Sequence, residues 1–236
     1  MGTLINAAAI IVATFLGVLL KKGLSEKIQK SIMFAMGLGL AALSLGWFFK
    51  DFFQIAESQI STKGDLLVII SLVIGVSIGE WIDIDGRLTR GAMAIETKYK
   101  LPPLAKGFIS ATLIFCVGAM AIIGSIQDGL TGDMTTLIIK SALDFVTALV
   151  LAATLGFGVM FSAISVLIYQ GAITVLAGTV QAFLTPEMLA SVSMVGNILL
   201  IAIGINFMEF KKVKVANMLP ALLVPVIYYA VMAMFA

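Results

Sequence analysis

Residues 134–179 read MTTLIIKSALDFVTALVLAATLGFGVMFSAISVLIYQGAITVLAGT, and how often this run crosses a membrane decides the fold. A helix needs about 20 apolar residues to cross the hydrocarbon core, and the run is about twice that long. Its charged side chains are Lys140 and Asp144, and Gly156-Phe157-Gly158 interrupts it with the makings of a tight hairpin. We read it as two spans, 134–154 and 158–179. Working outward, comparable apolar runs cover 2–20, 31–49, 65–81 and 104–126 before it, and 187–207 and 215–235 after it. The expected fold class is therefore an all-α integral membrane bundle of about eight transmembrane helices, some of them broken or kinked, forming one polytopic domain over 1–236.

Basic residues test the division independently. With the N-terminus outside, the cytoplasmic loops hold Lys21, Lys22, Lys27 and Lys30, then Arg87, Arg90, Lys98, Lys100 and Lys106, then Lys211, Lys212 and Lys214. The outer segments hold Lys50 and Lys63 alone. Twelve against two is the asymmetry that the positive-inside rule predicts. A single span over 134–179 would move the Lys211–Lys214 cluster outside, so the charge count requires two. Both termini are then expected outside. A cysteine placed at position 63 should label from outside and one at 212 should not.

Aromatic residues fit the same frame. Trp47, Phe48 and Phe49 close the second span, Trp81 sits at the inner end of the third, and Tyr228 and Tyr229 lie toward the outer end of the eighth. Residues 86–100 mix Arg87, Arg90, Lys98 and Lys100 with Leu88, Met93, Ile95 and Tyr99 before Pro102-Pro103. This segment reads either as a basic amphipathic helix on the membrane surface or as an ordinary solvated connector.

Composition agrees. Apolar residues make up 61% of the 236 and charged residues 12%, with mean hydropathy +1.12, against roughly 45–50% and about 25% in soluble domains. The first run does not have the form of a cleaved signal, because its lysines follow it rather than precede it. Cys116 is the single cysteine and there is no histidine. An intramolecular disulfide is therefore excluded, and the commonest metal ligand and near-neutral proton relay is missing.

Candidate functional residues are the polar ones that lipid should reject. Lys140 and Asp144 stand four apart on the fifth span and share a helical face. A charge at this depth costs about 2.5–3.5 kcal/mol on the lenient insertion scale, so both should face the bundle interior. Thr147 and Thr154 continue the stripe. The pair is either an ion- or proton-coupled site or a self-neutralising bridge that orients the helix. The segment Gly124-Ser125-Ile126-Gln127-Asp128-Gly129-Leu130-Thr131-Gly132-Asp133 is either an unwound helix end that offers Ser125, Gln127 and Asp128 to a cation, or a plain outer turn.

Weaker signals are Asn6 with Thr3, Asn197 with Ser193, and Asn206, whose expected role is packing. Ser162, Ser165 and Tyr169, with Gln170 adjacent, could line a polar path. Gly75-x-x-x-Gly79 and Ala152-x-x-x-Gly156 allow close helix approach within the bundle or between copies in a homo-oligomer. Pro220 and Pro225 should kink the last span.

The run Val117-Gly118-Ala119-Met120-Ala121-Ile122-Ile123-Gly124-Ser125-Ile126-Gln127-Asp128-Gly129 resembles the bacterial YdfK/YqgA-like membrane proteins, domain of unknown function 554. The likeness continues through Lys140-Ser141-Ala142-Leu143-Asp144, Gly156-Phe157-Gly158-Val159-Met160-Phe161-Ser162 and Tyr169-Gln170-Gly171, and Gly2-Thr3-Leu4-Ile5-Asn6 looks like the family's start. The resemblance implies a multi-pass protein of the bacterial cytoplasmic membrane and a role no more specific than transport.

The expectation that follows is a secondary transporter of an ion or small solute, with protons or Na+ as coupling ion and no other cofactor. Asp144 and Asp128 would bind the cation. Lys140 would pair with Asp144 or attract an anionic substrate, while Ser125, Gln127, Asn6, Asn197 and Gln170 supply neutral ligands. Its partners are the lipid bilayer and the solute, with no nucleic acid. A channel and a non-transporting scaffold or sensor are the alternatives. An intramembrane enzyme has little support, since neither Cys116 nor any serine has an evident base.

Overall fold

The apolar runs fold as helices. The computed structural model describes residues 1–21, 23–56, 59–62, 64–100 and 102–235. Lys22 and Lys63, both used in the charge count, lie outside the described residues. In chain order the elements are α1 (Gly2–Lys21), α2 (Glu26–Phe52), β1 (Phe53–Ala56), β2 (Gln59–Thr62), α3 (Asp65–Ile82), α4 (Ile84–Tyr99), α5 (Ala105–Cys116), α6 (Ala119–Thr131), α7 (Thr135–Leu155), α8 (Gly158–Val175), α9 (Ala177–Phe183) and α10 (Pro186–Phe207). A 3-10 helix, Val215–Leu222, leads into α11 (Leu223–Phe235). The β1–β2 pair is a short antiparallel hairpin between α2 and α3.

The helices are built for lipid. Their outward faces carry large aliphatic side chains, such as Leu4 at 59%, Val146 at 62% and Ile168 at 67% exposure. Their inward faces carry small and polar ones. On α1 the buried set is Gly2, Thr3, Asn6, Ala7, Ile10, Ala13, Thr14 and Gly17, at three- and four-residue spacing. Water would invert that order; in a bilayer, small inward residues are what lets helices approach. The chain is an integral membrane protein.

The chain divides into two compact units, Met1–Ala35 with Gly86–Ala182, and Met36–Asp85 with Phe183–Ala236. In the first unit, α1 and α7 run parallel. A Cβ added to Gly2 would meet Leu137 at 2.7 Å, and one added to Gly17 would meet Ala152 Cβ at 2.8 Å. The separation in sequence is the same at both ends, which only parallel helices can give. At the far end Lys21 Nζ donates to the Thr154 carbonyl oxygen at 2.9 Å, supplying a donor to a carbonyl that α7 leaves free at its terminus.

The fourth expected span is broken. α5 and α6 meet at 62° across extended Val117 and Gly118, whose φ of +139° favours glycine. Together they nevertheless follow α8 from start to finish. A Cβ on Gly158 would strike the Leu104 carbonyl. Thr112 Oγ1 bonds Ser165 Oγ at 3.2 Å, and a Cβ on Gly129 would strike the Thr174 carbonyl. A re-entrant loop would double back along α8. This pair does not, so α5–α6 is one interrupted crossing.

In the second unit α3 packs antiparallel on the 3-10 helix. Added Cβ atoms at Gly75 and Gly79 would collide with the Ala221 backbone and the Asn217 carbonyl, so the expected close-approach motif is used here. The last span is 3-10 around Pro220 before it becomes α-helical, the expected proline distortion. Gly37 of α2 meets Gly204 of α10 backbone to backbone, 2.6 Å from an added Cβ to the carbonyl oxygen. Asn206 closes the following loop through Val213, donating to its oxygen at 2.8 Å and accepting from its nitrogen at 2.7 Å. Residues 84–99 are helical, with Arg87, Met93 and Ile95 exposed.

Candidate functional site

The first unit buries a polar cluster where α1, α6, α7 and α8 meet. Asp144 lies about nine residues into α7, roughly 14 Å along its axis. Its Oδ2 accepts from Lys140 Nζ at 2.6 Å and from Asn6 Nδ2 at 2.9 Å. Lys140 is 7% exposed, Asp144 6% and Asn6 0%. The four-residue spacing makes the ion pair on one helix, and the parallel packing of α1 brings Asn6 to it. Asn6 Nδ2 also reaches Gln170 Oε1 of α8 at 3.5 Å.

One turn away along α1, Asp128 Oδ2 accepts from the Met1 amino group at 2.8 Å and the Gly2 N–H at 2.9 Å. A carboxylate at a helix N-terminus is favoured by the free N–H groups and the dipole, so Asp128 fastens the start of α1 to α6. Gly2 and Asn6 are four residues apart, about 6 Å of rise. The two acids therefore bond α1 about one turn apart.

The first unit also holds buried polar atoms without partners among the described residues. Among the described residues Thr3 Oγ1, Asn6 Oδ1, Ser125 Oγ, Gln170 Nε2 and Thr174 Oγ1 are buried with no hydrogen-bond partner. Leaving a buried polar atom unpaired costs about 1–3 kcal/mol. Thr174 was not expected; its four-residue spacing from Gln170 on α8 is the signal that would have found it.

Sequence placement holds for some residues and not others. Lys140, Asp144, Asn6 and Gln170 come together, Asp128 bonds the start of α1 instead, and Ser125 is buried on α6. Gln127 instead accepts from Thr136 Oγ1 at 2.7 Å, tying α6 to α7 beside the cluster. Asn197 belongs to the other unit and donates to Ser193 Oγ at 3.4 Å. Thr147 and Thr154 turn back to carbonyls of α7, and Ser162 bonds the Val159 oxygen. Residues 124–131 are helical and Gly132, at φ +71°, ends α6, so the interruption lies at Val117-Gly118 rather than in the acidic glycine-rich segment. Asp133, exposed beyond it, accepts from Thr135 N–H at 2.9 Å. The Thr135 hydroxyl and N–H bonds hold its carboxyl below the usual carboxylate range.

The profile of a protein family of unknown function, DUF554, matches residues 1–230. The chain belongs to that family. Among its DUF554 relatives is the uncharacterized membrane protein YdfK of Bacillus subtilis (strain 168), 32% identical over 224 residues, with 95% of this chain and 93% of YdfK covered. The uncharacterized protein YqgA of Escherichia coli (strain K12) is 31% identical over 229 residues, covering 94% and 93%. No solved structure matches.

Proposed function

We propose that this DUF554 protein is a secondary transporter of an ion or small solute in the bacterial cytoplasmic membrane, coupled to protons or sodium through Asp144. One observation carries the reading. A buried carboxylate shared by Lys140 and Asn6 stands beside two amide atoms, Asn6 Oδ1 and Gln170 Nε2, that have no partner among the described residues. A bridge serving only to pack helices gains nothing from such neighbours, and each weakens the fold. A site that exchanges partners during a transport cycle needs them. Lys140 holds the carboxylate when no cation does, and Asn6 keeps it oriented.

Reconstitution tests this. Uptake of candidate ions and solutes into liposomes is measured with and without imposed pH or sodium gradients. Asp144→Asn keeps the shape and removes the charge, and it is expected to lower gradient-driven flux roughly 10- to 100-fold, the equivalent of one charged hydrogen bond. Absence of flux for every candidate, or flux untouched in the Asp144→Asn/Asp128→Asn pair, overturns the proposal. Saturation and dependence on the imposed gradient separate a carrier from a channel.

A further inference from the structure

The unpaired atoms restrict the ligand more tightly than the ion pair does. Asp144 Oδ2 can only accept, so the Asn6 atom facing it must be the amide nitrogen, and Asn6 Oδ1 is left as a free acceptor. With that nitrogen turned toward Gln170 at 3.5 Å, the facing Gln170 atom must be Oε1, and Nε2 is left as a free donor. Both side chains are fully buried, and both free atoms lack partners among the described residues. Two neighbouring carboxamides thus present one unmet acceptor and one unmet donor. Thr3, three residues from Asn6 on α1, and Thr174, four residues from Gln170 on α8, add buried hydroxyls without partners among the described residues.

A bare cation would satisfy Asn6 Oδ1 and be repelled by the Gln170 N–H groups. An anion would do the reverse. Beside the carboxamides Asp144 is already matched by Lys140, so a charged solute held between Asn6 and Gln170 would have no counter-charge of its own. We propose that the face of α1, α6 and α8 around Asn6 and Gln170 binds a small uncharged, amide-like solute, which donates to Asn6 and accepts from Gln170. This rests on the transport reading and names the class of its substrate. The coupling cation remains at Asp144.

Three near-isosteric probes test it on the full-length protein in detergent: acetamide, acetate and acetamidinium, at equal ionic strength. Acetamide carries both a donor and an acceptor; acetate only accepts and acetamidinium only donates. A saturable rise of the thermal midpoint is expected with acetamide, at an apparent Kd at least about tenfold below that of either charged probe, the loss expected for one unmade hydrogen bond. Gln170→Met, which removes the free Nε2 donor together with the acceptor of Asn6, is expected to keep a cooperative probe-free transition and to abolish the acetamide shift. No saturable acetamide shift, or equal shifts from acetate, acetamidinium or sodium chloride, overturns the inference. Acetamide binding without flux of any solute keeps the inference and removes the transport reading. Gradient-driven flux with no acetamide binding does the opposite.

Discussion

Lys140→Met is expected to destabilise the folded protein by about 3–5 kcal/mol, the usual result of leaving one member of a buried ion pair without the other. It should also abolish gradient-driven flux. The Lys140→Met/Asp144→Asn double variant is expected to recover most of that stability. A buried pair replaced on both sides is often neutral or better, and asparagine at 144 keeps an oxygen for the Asn6 amide. Flux should stay lost. Unfolding of the purified variants and uptake into liposomes read the two quantities separately. Recovery of both together would reduce the pair to a packing device and leave the coupling proposal without its central group.

The second large effect concerns backbone rather than charge. Gly79→Ala would drive a methyl into the Asn217 carbonyl. Neither the α3 backbone nor the 3-10 backbone can yield as a flexible side chain would. A loss of about 3 kcal/mol or more is expected, at the upper end of overpacking costs, seen as a fall in monodisperse protein after extraction. Gly46→Ala, on α2, meets nothing within 4 Å. It should be neutral or up to about 1 kcal/mol stabilising, as replacing a helical glycine by alanine normally is. Equal behaviour of the two variants would mean that the α3 contact with the 3-10 helix is not tight.

These contrasts also mark how far the amino-acid order alone could be read. The division of 134–179 was legible because a run about twice one span is interrupted by Gly156-Phe157-Gly158, and α7 and α8 do part there. Lys140 and Asp144 were legible because four residues make one helical turn. The third partner was not: Asn6 is 138 positions from Asp144, and nothing local says which helix will lie against α7. The position of the break in the fourth span was not legible for a related reason. Glycines and acids at 124–133 look like a frayed end, yet Gly129 serves close packing on α8 and Gly132 caps the helix. Val117-Gly118 carries no polar mark and resembles any membrane glycine, but there the chain actually unwinds.

That interruption also bears on how the protein is made. Neither α5, with 12 residues, nor α6, with 13, is long enough to cross the hydrocarbon alone, and the exposed peptide groups between them resist entry into oil. α8, the helix that flanks both pieces, emerges from the ribosome about 50 residues later, roughly 3–10 s at ordinary elongation rates. During that interval the nascent fourth segment is poorly suited to lipid, and its lasting insertion has to wait for a neighbour translated after it.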